Sequence, residues 1–385
     1  MKFKSYIIFF LLFGVVSDVY SCLWPLADAP WWGKALLCLP TLAAGFCLPL
    51  IGLGKHYTDA VRVFSYLTFI FALPKFVFTL FDAVGRFLFR SDAAATVALV
   101  AGAGVSLVFL VLIFYVTRHL VVQQKDLTFK DLPKAFEGFR VCHLSDFHLG
   151  SFGKVSSYIR RIMDAVESLR PDLILFTGDL VNFETAEALP FLDQLRRLRA
   201  PFGIFAIRGN HDYLLHGHHS EQDRQEDMDR LLRLEQQLGW HVLLNAHEKV
   251  RKDGDELAIV GVENVSANPY FTHTGGDLQK ALKGLPDKMF RILLSHDPSH
   301  WRSEVVPAGG IPLTLSGHTH GLKYKLAGLH VSHWKLHESG GIYTAGDQTL
   351  YVSEGLGSAF AFRLGGYPKI DLLTLHCAEN TIAKT

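Results

Sequence analysis

Five short apolar runs in this 385-residue chain each stop at side chains that can bind a metal ion. Arg140 to Leu144 leads into Ser145-Asp146-Phe147-His148, and Asp172 to Thr177 leads into Gly178-Asp179. Gly203 to Arg208 ends in Gly209-Asn210-His211-Asp212, Arg291 to Ser295 in His296-Asp297, and Leu313 to Ser316 in Gly317-His318-Thr319-His320. A single Asp-x-His after a strand fits an ordinary turn or helix cap equally well. Five repeats in order point instead to one shared crevice, because parallel strands carry their sites at their carboxyl ends. Carboxylates, imidazoles and an amide suit borderline cations such as manganese, iron or zinc, and no thiolate stands among them to suggest a structural zinc site.

To converge, these residues need strands with crossover helices between them. The runs themselves are short and apolar, as strands buried on both faces are. Helix spacing is seen at Val155–Leu169, Ala186–Leu198 and Asp223–Leu238, each between two runs. From Trp240 the pattern becomes hairpin-like, with Lys252-Asp253-Gly254-Asp255 as a turn. The expected fold is α/β, a two-layered β-sheet sandwich flanked by helices. Glycines directly before Asp179, Asn210 and His318 fit sharp turns in which a missing Cβ lets backbone approach an ion.

Taken together, Asp146-x-His148, Gly178-Asp179, Gly209-Asn210-His211-Asp212, His296 and Gly317-His318-Thr319-His320 resemble the calcineurin-like metallophosphoesterase family, over roughly residues 138 to 376. The resemblance implies a metal-dependent phosphoric ester hydrolase with two divalent or trivalent ions. Asp146, His148 and His320 would bind one ion, and Asn210, His296 and His318 the other. Asp179 would bridge them, leaving His211 unligated and facing the substrate. Chemically, two ions about 3.5–4 Å apart clamp a phosphoryl group and activate a water. A phosphodiester, pyrophosphate or phosphomonoester all fit that chemistry. The chain departs from many membrane-linked relatives in following Gly321 with Leu322-Lys323-Tyr324 instead of Gly-Gln, while Tyr351–Gly357 and Tyr367–Leu372 resemble the closing strands of that branch.

The front of the chain is different in kind. Residues 1–117 hold eight Lys/Arg, five Asp/Glu and only one histidine, His56. Four membrane spans are expected, near Tyr6–Leu26, Ala35–Leu53, Val63–Phe81 and Ala93–Val116, with the first retained as an anchor rather than cleaved as a signal peptide. Asp18 and Lys75 are expected to reach the interface from helix ends, in preference to pairing inside the bundle. Residues 118–137 are then a linker, and 138–385 the catalytic domain. The Lys/Arg distribution favours an integral membrane protein whose catalytic domain is cytoplasmic.

Beyond the spans, 30 basic and 32 acidic residues nearly cancel, leaving no electrostatic footprint for nucleic acid. The five cysteines form no Cys-x-x-Cys and are expected as buried free thiols. His216-Gly217-His218-His219 is expected to be a solvated loop. The substrate is expected to be a phosphate ester, with a lipid-linked one as a candidate whose chain would lie near Tyr270-Phe271 and Phe360–Phe362. An alternative is a membrane sensor or scaffold carrying a non-catalytic phosphoesterase-like binding domain. Turnover of an aryl phosphodiester separates the two.

Overall fold

A computed structural model describes residues 3–90, 93–154, 157–215, 217, 220–267, 275–320, 325–326, 329–330, 337–359, 362–363 and 366–378. The chain forms two compact units, one built on residues up to Thr117 and the other from Arg118 onward.

The first unit has four helices long and apolar enough to cross a membrane: α1 (Phe3–Leu23), α2 (Trp31–Gly52), α3 (Tyr57–Phe87) and α4 (Ala94–Arg118). Large apolar side chains such as Leu36, Phe46, Val100 and Leu107 point outward. Asp18 and Lys75 do not reach for an interface. The Lys75 ammonium donates to Asp18, to Thr41 Oγ1 at 2.8 Å and to the Leu37 carbonyl at 3.3 Å, which corrects the expectation from sequence. An ion among apolar helices is stabilised chiefly by a partner, and here each is the other's. A second polar cluster centres on buried Asp82, which accepts from Tyr20 at 2.8 Å and Arg86 Nε at 2.7 Å.

The second unit is a two-layer sandwich. The strands of its two layers are β1 (Val121–Phe129), β2 (Phe139–Leu144), β3 (Leu173–Phe176), β4 (Ile204–Ala206), β5 (His241–Val242), β6 (Ala246–Lys252), β7 (Asp255–Gly261), β8 (Arg291–Leu294), β9 (Leu313–Ser316), β10 (Gly341–Ala345), β11 (Gln348–Val352) and β12 (Lys369–Cys377). One sheet runs β1-β12-β2-β3-β4-β5 and the other β10-β11-β9-β8-β7-β6. Within the first, β2, β3, β4 and β5 are mutually parallel; within the second, β7, β8, β9 and β11 are.

Side-chain alternation builds three apolar layers. Val141, Leu173, Leu175 and Phe205 meet Ile259, Ile292, Leu294 and Leu315 between the sheets. On the outer face of the first sheet, Cys142, Leu144, Ile174 and Phe176 pack under Ile159, Ile162 and Val166 of α5 (Ser157–Leu169), with Leu231 and Leu234 of α6 (Glu221–Gln237). Val260, Leu293, Trp301 and Val352 close the outer face of the second.

Two expectations on local structure need correction. The segment read as a linker carries β1, which pairs in parallel with β12 over nine residues, Val121↔Lys369 to Phe129↔Cys377. It is an edge strand whose outer positions are solvated, so its apolar signal is diluted. The helix expected at Ala186–Leu198 is instead two 3₁₀ turns, Thr185–Glu187 and Leu189–Phe191, and one helical turn, Leu192–Leu195. Pro190 restricts the residue before it and removes a donor.

Candidate metal centre

Each metal-competent residue sits just past the carboxyl end of a strand. Asp146 and His148 follow β2, Asp179 follows β3, Asn210 and His211 follow β4, His296 follows β8, and His318 and His320 follow β9. The turns that present them are sterically costly. Asp146 (φ 52°), His148 (48°), Asp179 (60°), His318 (69°) and His320 (49°) all lie in the left-handed region, at about 1–3 kcal/mol each for a side chain with a Cβ. Local hydrogen bonds hold them there. Asp146 N donates to Gly178 O at 2.9 Å, and His148 N to Asp179 O at 3.0 Å. His318 N donates to the Asp146 carboxylate, 3.1 Å from Oδ2.

Asp212 anchors the central loop. Its carboxylate accepts from Asp179 N at 2.7 Å, Leu180 N at 2.9 Å, Val181 N at 3.3 Å and Gly209 N at 2.9 Å. Burial, with Asp179 nearby, pushes its carboxyl up to about 6 despite those donors. Gly209 is required at the same point: an added Cβ would come 2.2 Å from Asp179 Oδ1.

The side chains then converge as three overlapping groups: Asp146, His148 and His320; His148, Asp179 and His211; Asp179, His296 and His318. Asp179 Oδ2 is common to the middle of the site, 3.4 Å from His148 Nε2 and 3.2 Å from His296 Nε2. Asn210 joins through Oδ1, 3.1 Å from His296 Nε2. Asp146 Oδ1 is 3.8 Å from both His148 Nε2 and His320 Nε2. All eight candidate residues are thus brought to one crevice.

Do these groups fit metal ions? His148 Nε2 is buried and has no hydrogen-bond partner among the described residues, an expensive state for a lone pair unless a cation takes it. Its other ring nitrogen, Nδ1, is 2.7 Å from Asn182 Oδ1, so Nδ1–H donates and Nε2 is left as the ligand atom. His296 is arranged alike, with Nδ1 2.7 Å from the Thr177 carbonyl and Nε2 toward Asp179. Electrostatically, burial pushes His148 and His320 down to about 3, keeping them neutral. Burial acts the same way on His296, but Asp179 and Asp146 outweigh it and hold it up at about 10. Burial alone would raise Asp179; the imidazoles of His296, His211 and His148 carry it well below the usual carboxylate range. A proton on His296 beside an ionised Asp179 supplies positive charge where cations would otherwise supply it. The donor set therefore fits.

Several supporting residues carry little signal in sequence. Asn182 orients His148 and, through its carbonyl, accepts from His211 Nδ1 at 2.9 Å. Glu187 in turn holds Asn182 N at 2.5 Å and Phe183 N at 3.0 Å. Position three after Asp179 in Gly-Asp-x-x-Asn is the one available clue to Asn182. Arg363, 1 % exposed, donates to the carbonyls of Glu354, Gly355 and Gly357, the backbone that closes over Asp146. His216, His218, His219, Asn268–Phe271, Leu322–Tyr324, His333, Phe360 and Ala361 lie outside the described residues.

Residues 139–322 match the calcineurin-like phosphoesterase family. An uncharacterized metallophosphoesterase of Bacillus subtilis is 29% identical over 275 residues, 68% of this chain and 87% of that protein. A "transmembrane protein with metallophosphoesterase domain" of Bos taurus is 30% identical over 260 residues, covering 64% and 55%, and its Danio rerio counterpart is 28% identical over 272 residues, covering 66% and 58%. The match thus spans little more than half of the two vertebrate relatives. With the strand ends, the His/Asp cluster and these relatives in agreement, the chain carries a calcineurin-like metallophosphoesterase domain.

Proposed function

We propose that the protein is a membrane-anchored phosphoesterase that hydrolyses a phosphate ester with two metal ions. The observation that carries this reading is Asp179 Oδ2, set between the facing nitrogens of His148 and His296 with a His/Asp group on either side. Asp146, His148 and His320 would hold one ion, Asn210, His296 and His318 the other, with Asp179 common to both. Bound there, the ions would activate a water and polarise the phosphoryl group.

The chain's own residues do the rest. Hydrolysis forms a P–O bond from water and breaks the P–O bond to the leaving oxygen, which must take up a proton. His211 is assigned that proton: its backbone N–H donates to Asp179 Oδ1 at 2.8 Å and its Nδ1 is tied to Asn182 O. In its protonated form the ring would give that proton to the leaving oxygen and regain one released by the attacking water. Thr177 and Ser145, linked at 2.7 Å beneath the site, keep the ends of β2 and β3 in register.

Four apolar helices in the same chain support anchoring in a membrane, and only His119 and Leu120 separate α4 from β1. They also support a lipid-linked ester as substrate, since a soluble one needs no such anchor. The Lys/Arg distribution supports a cytoplasmic catalytic domain; a reporter fused after Thr385 reads that side. The reaction is tested by adding manganese to metal-stripped full-length protein and assaying phosphate mono-, di- and pyrophosphate esters. Turnover of at least one class supports the reading. Tight metal binding without turnover of any would favour a sensor or scaffold.

A further inference from the structure

An open cavity of about 200 Å³ lies in the catalytic unit, lined by Pro298, Ser299, Arg302, Ser303, His337 and Glu338. Both of its walls are tied to candidate metal-binding segments. One wall follows His296 directly: Asp297 Oδ1 accepts from Ser299 N at 2.8 Å, while its Oδ2 is 3.6 Å from His318 Nε2. The other wall is held by Thr319, between His318 and His320, whose hydroxyl donates to Ser339 O at 2.9 Å. A group esterified to a phosphoryl at His318 therefore has this cavity beside it.

The lining chemistry narrows what that group is. Glu338 is 3 % exposed, and Arg302 directs both Nε, at 2.8 Å, and an Nη to the same oxygen, Oε1. Oε2 takes no hydrogen bond among the described residues, yet it is not sealed off from solvent as the orphaned polar atoms are. Arg302 itself is more than half exposed and lies 5.7 Å over the Trp301 ring. The rest of the surface is largely carbon. An anionic group would meet the Glu338 carboxylate and a cationic one the Arg302 guanidinium. An alkyl chain would leave Oε2 desolvated and unpaired, which disfavours it. A neutral group bearing several hydroxyls satisfies all of it: O–H donates to Oε2, the guanidinium donates to hydroxyl oxygens, and C–H faces meet carbon.

We propose that this cavity binds the polyhydroxylated alcohol portion of the phosphate ester, glycerol or a sugar, with Glu338 and Arg302 determining specificity. The proposal rests on the phosphoesterase reading above and names the substrate class for that site. In the membrane setting the group would be a lipid headgroup.

The test uses manganese-loaded full-length protein in detergent, with glycerol 3-phosphate against ethyl phosphate for binding, and the p-nitrophenyl diesters of both for hydrolysis. The wild type should prefer the glycerol compounds at least tenfold in Kd and in kcat/KM. Glu338→Gln, and independently Ser303→Leu, which fills the cavity, should cut that preference about tenfold. An unchanged preference in both variants overturns the proposal, as does loss of bound manganese in both, which would make the cluster structural. Hydrolysis without a glycerol preference sinks the cavity assignment alone. Glycerol preference in binding with no hydrolysis of any ester upholds it and removes the enzymatic reading instead.

Discussion

Gly317→Ala puts one carbon into space that is already filled. An ideal Cβ at position 317 would lie 1.9 Å from Ser145 Oγ and 2.3 Å from Asp146 Oδ2, where ordinary contact begins near 3.4 Å. Ser145 cannot swing clear without loss, because it is buried and its hydroxyl accepts from Thr177 Oγ1 at 2.7 Å. Asp146 is pinned by the His318 amide at 3.1 Å. If the carboxylate yields, its oxygen moves by about 1 Å, a displacement that costs roughly 10²-fold when it misplaces reacting groups. It also exceeds the roughly 0.2 Å tolerance of a ligand distance. The variant should therefore fold, with about 1–3 kcal/mol of overpacking, but lose the ion on the Asp146 side. We expect turnover of an aryl phosphodiester to fall about 10²-fold. Elemental analysis of bound metal, the unfolding midpoint and kcat/KM on the same preparation decide it. Two ions per chain with activity within twofold of wild type would refute the steric reasoning.

Asn182→Ala removes the group that orients His148, so metal affinity should fall about 10–100-fold, measured by competition with a chelator; unchanged affinity would mean His148 is positioned by packing alone. His211→Asn should retain both ions while kcat drops about 10²–10⁴-fold, and loss of metal in that variant would make His211 a ligand. Away from the metals, burial pushes Asp371 up to about 6 although Ser353 and Tyr351 donate to it at 2.6 and 2.7 Å. Its folded pKa lies above the unfolded value of about 3.9, so the folded state binds the proton more tightly and loses stability as pH rises from about 4 to 6. Two pH units correspond to about 3 kcal/mol. Asp371→Asn should accordingly gain on wild type by up to about that amount across the window and by nothing further above it. Urea unfolding in detergent at several pH values measures the difference, and a gap independent of pH would contradict the burial argument.

The strand ends were legible because their chemistry is local. Ser145-Asp146, Gly178-Asp179, Gly209-Asn210 and Gly317-His318 each place an apolar run, a turn and a ligand type within a few residues. Parallel pairing of β2 with β3 and of β8 with β9 brings them to the crevice. The apolar helices were legible for a similar reason, since length and composition are properties of the segment itself. What escaped depends on partners distant in sequence. β1 is a strand because β12, 248 residues on, pairs with it. Its own exposed Gln124, Lys125 and Asp126 look like a polar connection. Lys75 meets Asp18 across 57 residues, which helix-end arguments do not see. Glu338 meets Arg302 across 36 residues. Asn182 was within reach, three positions past Asp179, but an asparagine after a turn has many ordinary explanations.

The most direct test of the two-ion site counts metal ions on Asp179. Wild-type protein loaded with manganese and freed of excess should hold two ions per chain and hydrolyse a phosphodiester, while Asp179→Asn should hold at most one and show no measurable turnover. An Asp179→Asn protein with two ions and normal activity, or a wild type that hydrolyses esters while holding none, would contradict the account.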